Sequence, residues 1–138
     1  MTELRGQGIY RAGTASANGR VTAVIQDWQA LIENMNGGVR TLRQGAPDVM
    51  KAFSEMSRAA HGGTALDGKT KELIALAISV AVRCQPCIAY HAEGAIKAGA
   101  TREEVAETLA IAVYMGAGPS VMYAAQALEA HDQLAGGE

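Results

Sequence analysis

The two cysteines of this chain, Cys84 and Cys87, are separated by two residues, and His91 follows the second at position i+4. They are the only cysteines among its 138 residues. In a helix, residues i and i+4 lie on one face, which places the imidazole beside Cys87. Two thiols at this spacing can close a disulfide, and the imidazole can accept a thiol proton. The pattern therefore predicts a compact dithiol redox site.

The position of each cysteine relative to the helix predicts its role. Pro86 suits the first turn of a helix, and the unpaired N–H groups of a helix N-terminus favour the thiolate that reacts. Cys87 lies inside that turn and faces His91, so it is the predicted nucleophile. Cys84 precedes the helix and is predicted to be the resolving thiol that closes the disulfide.

Three plainer interpretations of these residues stay open. The cysteines can be inert and buried, as free cysteines often are. They can bind zinc or iron with His91 and a fourth ligand, although a structural zinc site usually draws on two separated ligand pairs. His91 can be a core histidine unrelated to the thiols. The other two histidines, His61 and His131, lie near predicted helix ends, are expected to be solvated and receive no role.

Composition indicates one globular domain without a nucleic-acid or membrane partner. Apolar residues make up 49% of the chain, aromatic residues 4%, and the net charge is -2. The basic residues are scattered, which argues against binding to nucleic acid or to an anionic membrane. No apolar segment follows Met1, so a cytoplasmic location is expected. In a reducing compartment, cysteines at this spacing are more often reactive than structural.

Hydrophobic periodicity and capping residues predict an all-α fold of about six helices. Residues 1–19 are predicted to form an N-terminal arm and residues 20–138 a single helical domain. The first helix is expected to run from Val21 to Met35 and to end at Gly37-Gly38. The second follows Pro47 and ends at Gly62-Gly63.

The later helices have clearer boundaries in the sequence. Asp67 is the predicted N-cap of the third helix. Pro86 begins the fourth, which runs to Gly99, and Thr101 with Glu104 forms a capping box for the fifth. The fifth reaches Met115, and Pro119 opens a sixth that ends near Gly136. The uncharged stretch 108–128 is long enough for a membrane span, but its Gly-Pro break favours two buried helices meeting at a turn.

The third predicted helix also bears on assembly. From Leu73 to Val82 every residue but Ser79 is apolar, so this segment is expected to be buried on all sides, with a parallel strand as the competing interpretation. Such a helix is hard to cover in a chain of this size. A homo-oligomer is therefore expected.

A wider pattern resembles a known family. Glu72, eleven residues, Cys84-x-x-Cys87, three residues and His91 resemble the signature of the AhpD-like alkylhydroperoxidases in the carboxymuconolactone decarboxylase superfamily. The flanking segments 66–74, 99–105 and 115–119 are also similar to that family, and the resemblance runs from about residue 47 to 128. Pro86 stands where the founding members carry a histidine.

The resemblance implies an all-helical protein that assembles as a trimer or a hexamer and reduces hydroperoxides. It implies that Cys87 is the peroxidatic cysteine, that Cys84 is the resolving thiol and proton donor, and that Glu72 and His91 relay protons. The reductant would be an external dithiol, lipoyl or thioredoxin-like, and no cofactor or metal is implied. Lactone decarboxylation is not expected, because the decarboxylases of the superfamily lack the cysteine pair.

The role of Glu72 rests on the resemblance alone. Twelve residues of straight helix would separate it from Cys84 by about 18 Å. The helix must end early, or packing must close the gap. Two other functions use the same cysteines: a redox sensor whose disulfide changes its assembly or partners without turnover, and a metal-binding module.

Overall fold

The computed structural model describes residues 24–136, which are helical throughout apart from short connections. The predicted all-α fold is confirmed. The predicted arm at 1–19 lies outside the described residues, and the domain boundary at residue 20 stays a prediction. The helices are α1 (Trp28–Gly45), α2 (Pro47–His61), α3 (Gly68–Ala81), α4 (Gln85–Lys97) and α5 (Arg102–Ala135).

Helices α3, α4 and α5 pack on one another, and α1 covers α4 and α5. Their shared core is small and rich in alanine, with Leu76, Val80, Ile88 and Val105 as its larger fully buried aliphatic residues. Small side chains allow close helix contacts, which suits a chain with few aromatic residues. Helix α2 packs on α1 and buries none of its residues.

Trp28 fixes the start of α1 against the end of α5. Its ring is fully buried, and its indole Nε1–H donates to Glu129 Oε2 at 2.9 Å. Its backbone N–H donates to Gln133 Oε1 at 2.7 Å. A buried indole is stable only when its N–H finds an acceptor, and Glu129 supplies one.

The helix starts predicted from capping residues are confirmed. The Asp67 side chain accepts the N–H of Thr70 at 2.7 Å and begins α3. Thr101 and Glu104 form both hydrogen bonds of a capping box and begin α5. These contacts are local, so the sequence is sufficient to specify them.

The turn from α3 to α4 positions the cysteines. The N–H of Arg83 donates to the carbonyl of Val80 at 3.1 Å, and the N–H of Cys84 donates to the carbonyl of Ser79 at 3.0 Å. This pair of bonds is a Schellman motif, which needs a left-handed residue after the helix end. Arg83 takes that conformation with φ 60°. Cys84 thereby ends one helix and caps the next.

The predicted end of the first helix at Gly37-Gly38 is wrong, because α1 continues through both glycines to Gly45. Neither glycine has a positive φ, so neither forms a helix-ending turn. The helix ends before Pro47, where Ala46 has φ -138° and ψ 61°. A proline disfavours helical geometry in the residue before it, and this effect sets the boundary.

Helix α3 is not buried on all sides within one chain, which corrects the prediction for Leu73–Val82. Ile74, Ile78 and Val82 are 45%, 55% and 63% exposed. They follow one another at i, i+4 and i+8 and so form a single stripe. We call these three residues the α3 stripe. The opposite face, which includes Leu76 and Val80, enters the core.

The predicted fifth and sixth helices form one element, α5, with a kink between them. Ala117 lies at φ 49° and ψ -140°, and Pro119 follows inside the helix. The break predicted at Gly116-Ser120 is therefore present as a kink rather than as a loop. Helix α5 is long and apolar enough to cross a membrane by length and composition, and 22% of its most apolar window is buried within the chain.

Candidate active site

Cys84 and Cys87 form a disulfide at the N-terminus of α4, with their Cα atoms 5.2 Å apart. Cys84 is the N-cap, and its Sγ accepts the N–H of Cys87 at 3.3 Å. Both residues are half-buried. The sulfurs are therefore held at the positive end of the helix dipole, where a thiolate is favoured once the disulfide is reduced.

His91 lies one helical turn beyond Cys87 and is paired with a carboxylate from α3. Its Nδ1 is 2.8 Å from Glu72 Oε2. In the neutral imidazole, an Nδ1–H that donates to the carboxylate leaves Nε2 as the acceptor. Glu72 thus orients the ring and fixes the tautomer that can receive a proton.

Packing of α3 against α4 brings Glu72 to His91 across nineteen residues of sequence. Helix α3 rises by about 14 Å from Glu72 to Ala81, and α4 returns by about 9 Å from Gln85 to His91. The helix ends early and turns back, so the 18 Å separation expected for a straight helix does not arise. The carboxylate contacts His91, which lies one helical turn after Cys87.

Gly94 makes room for this carboxylate. It lies on α4 three residues after His91, and a Cβ there would be 2.5 Å from Glu72 Oε2 and 2.8 Å from its Cδ. Real Cβ atoms do not approach so closely. The absence of a side chain at Gly94 is therefore a requirement for the Glu72–His91 hydrogen bond as it stands.

With this geometry established, the comparison with known proteins identifies the family. The sequence profile of the carboxymuconolactone decarboxylase family matches residues 47–130, which is more than half of the chain. The chain belongs to the carboxymuconolactone decarboxylase family. The resemblance inferred from the motif is confirmed at this level.

The chain is also similar to two proteins that are described as uncharacterized. The chain is 39% identical over 108 residues to an uncharacterized protein of Cupriavidus necator, covering 78% of this chain and 96% of that one. It is 42% identical over 108 residues to an uncharacterized protein of Haemophilus influenzae, with the same two coverages.

Two solved structures of family members share the fold. A protein of Legionella pneumophila, crystallised in an apo form, has 46% identity and a TM-score of 0.75, covering 78% of this chain and 96% of its own. A protein of Thermotoga maritima has 29% identity and a TM-score of 0.69, covering 78% and 91%. Its description suggests a part in an antioxidative response.

His61 also lies at this site, although the sequence did not indicate a role for it. It ends α2, and its Nε2 lies 3.4 Å from Glu72 Oε1. Its ring is 44% exposed, in keeping with the expected solvation, yet it contacts the carboxylate that orients His91. No periodicity links α2 to α3, so no local signal in the sequence could have indicated this contact.

His131 differs from its expectation, because it is buried rather than solvated. It is 6% exposed, on the face of α5 that carries the buried Ala124, Ala127 and Ala130. Its Nδ1 lies 3.4 Å from Asp132 Oδ1. The helix continues past His131, and this face remains in the core.

An ion pair joins the start of α3 to the start of α5. Lys69 Nζ is 2.7 Å from Glu104 Oε1. This hydrogen bond raises the pKa of Lys69 and lowers the pKa of Glu104, since both charged forms are favoured. The contacts stabilise the helix that carries Glu72 without touching the cysteines.

Among residues 24–136 no three histidine, cysteine or acidic side chains are placed to hold a metal ion. In the disulfide state the two sulfurs are bonded to each other, so neither is free to act as a thiolate ligand. The arrangement is suited to thiol–disulfide chemistry: it has two sulfurs that can pair, an imidazole and an orienting carboxylate.

Proposed function

We propose that this protein is a thiol-dependent hydroperoxide reductase of the AhpD-like type, acting as a dithiol–disulfide oxidoreductase. The observation that carries the proposal is the Cys84–Cys87 disulfide at the head of α4, one turn from the Glu72–His91 pair. Membership of the family and the suggested antioxidative part of the Thermotoga maritima relative support it.

In the first step of the proposed cycle, the Cys87 thiolate attacks the terminal oxygen of a hydroperoxide. An S–O bond forms, the O–O bond breaks, and the alkoxide takes a proton and leaves as an alcohol. Cys87 becomes a sulfenic acid, so the sulfur is oxidised by two electrons and the peroxide is reduced by two.

In the second step Cys84 attacks the sulfenic sulfur. The S–S bond forms, hydroxide leaves, and it takes the Cys84 proton to become water. An external dithiol, lipoyl or thioredoxin-like, then reduces the disulfide by exchange. His91 receives the proton when Cys87 ionises and returns it to the alkoxide, while Glu72 orients His91. The cycle needs no cofactor.

The proposal includes a cytoplasmic homo-oligomer, a trimer or a hexamer. Support comes from apolar surface that one chain leaves uncovered: the α3 stripe, and Val49, Phe53 and Met56 on α2. Ile78→Asp places a charge in the centre of the α3 stripe and is expected to reduce the assembly state in sedimentation experiments. A wild-type protein that sediments as a monomer at micromolar concentration would remove this part of the proposal.

The decisive experiment measures hydroperoxide consumption with dithiothreitol as electron donor. Wild type is expected to turn over and Cys87→Ser to be inactive. Cys84→Ser, mixed with hydroperoxide in the absence of dithiothreitol, is expected to react once and stop as a sulfenic acid trapped by dimedone. If wild type closes the disulfide but never turns over, the peroxidase proposal fails. The redox-sensor interpretation then takes its place.

A further inference from the structure

The carboxylate of Glu72 is shared by two imidazoles from different helices. Its Oε2 faces His91 of α4 at 2.8 Å, and its Oε1 faces His61 of α2 at 3.4 Å. Nothing in the proposed cycle uses His61. Yet α2 ends where this ring meets the carboxylate, and Glu72 is the least exposed of the three side chains at 20%.

The position of His61 is fixed by further hydrogen bonds. Its Nδ1 lies 2.8 Å from the carbonyl oxygen of Ser57, one turn earlier on α2. Lys71, next to Glu72 on α3, donates from Nζ to the carbonyl oxygens of His61 and Gly63. The end of α2 is thus tied to the same turn of α3 that carries the carboxylate.

Both ring nitrogens of His61 face oxygen acceptors, Ser57 O and Glu72 Oε1. A neutral imidazole has one N–H, so in either tautomer one nitrogen turns a lone pair toward an oxygen. Only the doubly protonated ring donates to both. In the neutral ring only one of the two contacts can be a hydrogen bond, so the ring is certain to donate to Glu72 only when it is doubly protonated.

We propose that His61 is a proton-dependent positioning residue for the thiol site. When doubly protonated, it holds Glu72 Oε1 and so keeps Oε2 aligned with Nδ1 of His91. When it loses its Nε2 proton to water, this hold is lost and the carboxylate is free to turn. The reactivity of Cys87 thereby depends on the protonation of a residue on another helix.

The charged groups around His61 are few. Within the part of the chain that the structure describes, Glu72 is the one acidic group in ion-pair range of its ring. Lys71 of α3 contacts its backbone carbonyl, and Arg58 precedes it in the last turn of α2. Helix α1 packs on α2 but places no charged group in ion-pair range of the ring.

Although the inference rests on the proposed function for its biological meaning, its test does not require peroxidase activity. The test follows alkylation of Cys87 by iodoacetamide in reduced Cys84→Ser protein, by mass spectrometry, at about pH 5.5 and about pH 8.5. His61→Ala removes the hold at every pH. His61→Gln keeps an Nε2–H donor at every pH and cannot titrate.

At the lower pH, His61→Ala is expected to react about fivefold more slowly than the parent, and His61→Gln at the parent rate. At the higher pH the parent is expected to be alkylated as slowly as His61→Ala. His61→Gln is expected to be alkylated about fivefold faster than both. Arg58→Gln, which removes a positive charge from the same turn without touching Glu72, controls for a general electrostatic effect and is expected to match the parent.

A double mutant tests whether His61 acts through the carboxylate. With Glu72→Gln present, His61→Ala is expected to cause no further loss. Equal pH profiles for the parent, His61→Ala and His61→Gln would overturn the inference, as would an undiminished His61→Ala effect in the Glu72→Gln background. If wild type consumes no hydroperoxide but the alkylation pattern holds, the proposed function fails and this inference stands.

Discussion

Glu72 and His91, nineteen residues apart in sequence, are joined by a hydrogen bond of 2.8 Å between Oε2 and Nδ1. The bond crosses from α3 to α4 and links the two helices that meet at the cysteine turn. It connects the fold to the chemistry, because a carboxylate on one helix sets the tautomer of an imidazole on the other.

Replacing Glu72 by glutamine should lower kcat/KM for hydroperoxide by about 100-fold. The amide is close in shape to the carboxylate, but it can turn its NH₂ group toward His91 and reverse the ring tautomer. The measurement is steady-state turnover with dithiothreitol. Glu93→Gln is the matched control, since Glu93 lies on α4 and pairs at 3.0 Å with Lys97 on the surface. Equal losses in the two variants would contradict the role of Glu72.

Gly94→Ala should lower the activity of the protein without lowering its stability. The new Cβ would displace the Glu72 carboxylate, which is the end of a flexible side chain, so the His91 hydrogen bond should be lost rather than the fold. Activity should fall as in Glu72→Gln, while the free energy of unfolding should stay level or rise by up to about 1 kcal/mol, because alanine favours a helix more than glycine does.

A second glycine supplies the control for that prediction. Gly38 lies within α1, and a Cβ there would meet nothing within 4 Å. Gly38→Ala should therefore raise stability by about 1 kcal/mol without changing activity. Full activity in Gly94→Ala, measured beside it by turnover and urea unfolding, would show that the carboxylate tolerates displacement.

Arg83→Gly should stabilise the protein by about 0.5 kcal/mol. Arg83 has φ 60°, a left-handed conformation that costs a non-glycine residue about 1 kcal/mol, partly offset by the greater unfolded-state freedom of glycine. Gly99, at φ 84° after α4, occupies the equivalent position in a second Schellman turn. Gly99→Ala should lower stability by about 1 kcal/mol. A less stable Arg83→Gly variant in urea unfolding would show that the arginine side chain outweighs its backbone cost.

Acid should destabilise the fold through three carboxylates. Hydrogen bonds from Thr70, Lys69 and Arg102 lower the pKa values of Asp67, Glu104 and Asp132 below their ordinary values of 3.8, 4.5 and 3.8. Groups with a lowered folded-state pKa contribute stability above their unfolded pKa, and the contribution is lost as pH falls through the folded pKa. The urea midpoint should therefore be level above about pH 5 and fall toward pH 3.

The Arg102–Asp132 pair tests the assignment of that acid effect. Arg102 Nε lies 2.7 Å from Asp132 Oδ1, and its hydrogen bond is the largest cause of the lowered pKa of Asp132. Arg102→Gln should make the fall of the urea midpoint between pH 5 and pH 3 shallower than in wild type. An unchanged slope would assign the acid sensitivity to other carboxylates.

Local features of the sequence were sufficient to predict most helix boundaries and the dithiol motif. Asp67 and Thr101 cap their own helices, Pro86 lies in the first turn of α4, and the i+4 spacing places Cys87 and His91 on one face. Each of these depends on residues within about one turn, so composition and spacing determine them. The boundary at Gly37-Gly38 was wrong because two glycines permit a helix end without requiring one.

Only the tertiary structure decided how the site is completed. Glu72 reaches His91 because α4 folds back on α3, and Gly94 leaves the space it needs, neither of which can be read from spacing along the chain. His61 joins them from α2. A sequence specifies contacts one turn apart through fixed helix geometry. Contacts between helices depend on how their side chains pack, which is a property of the whole fold.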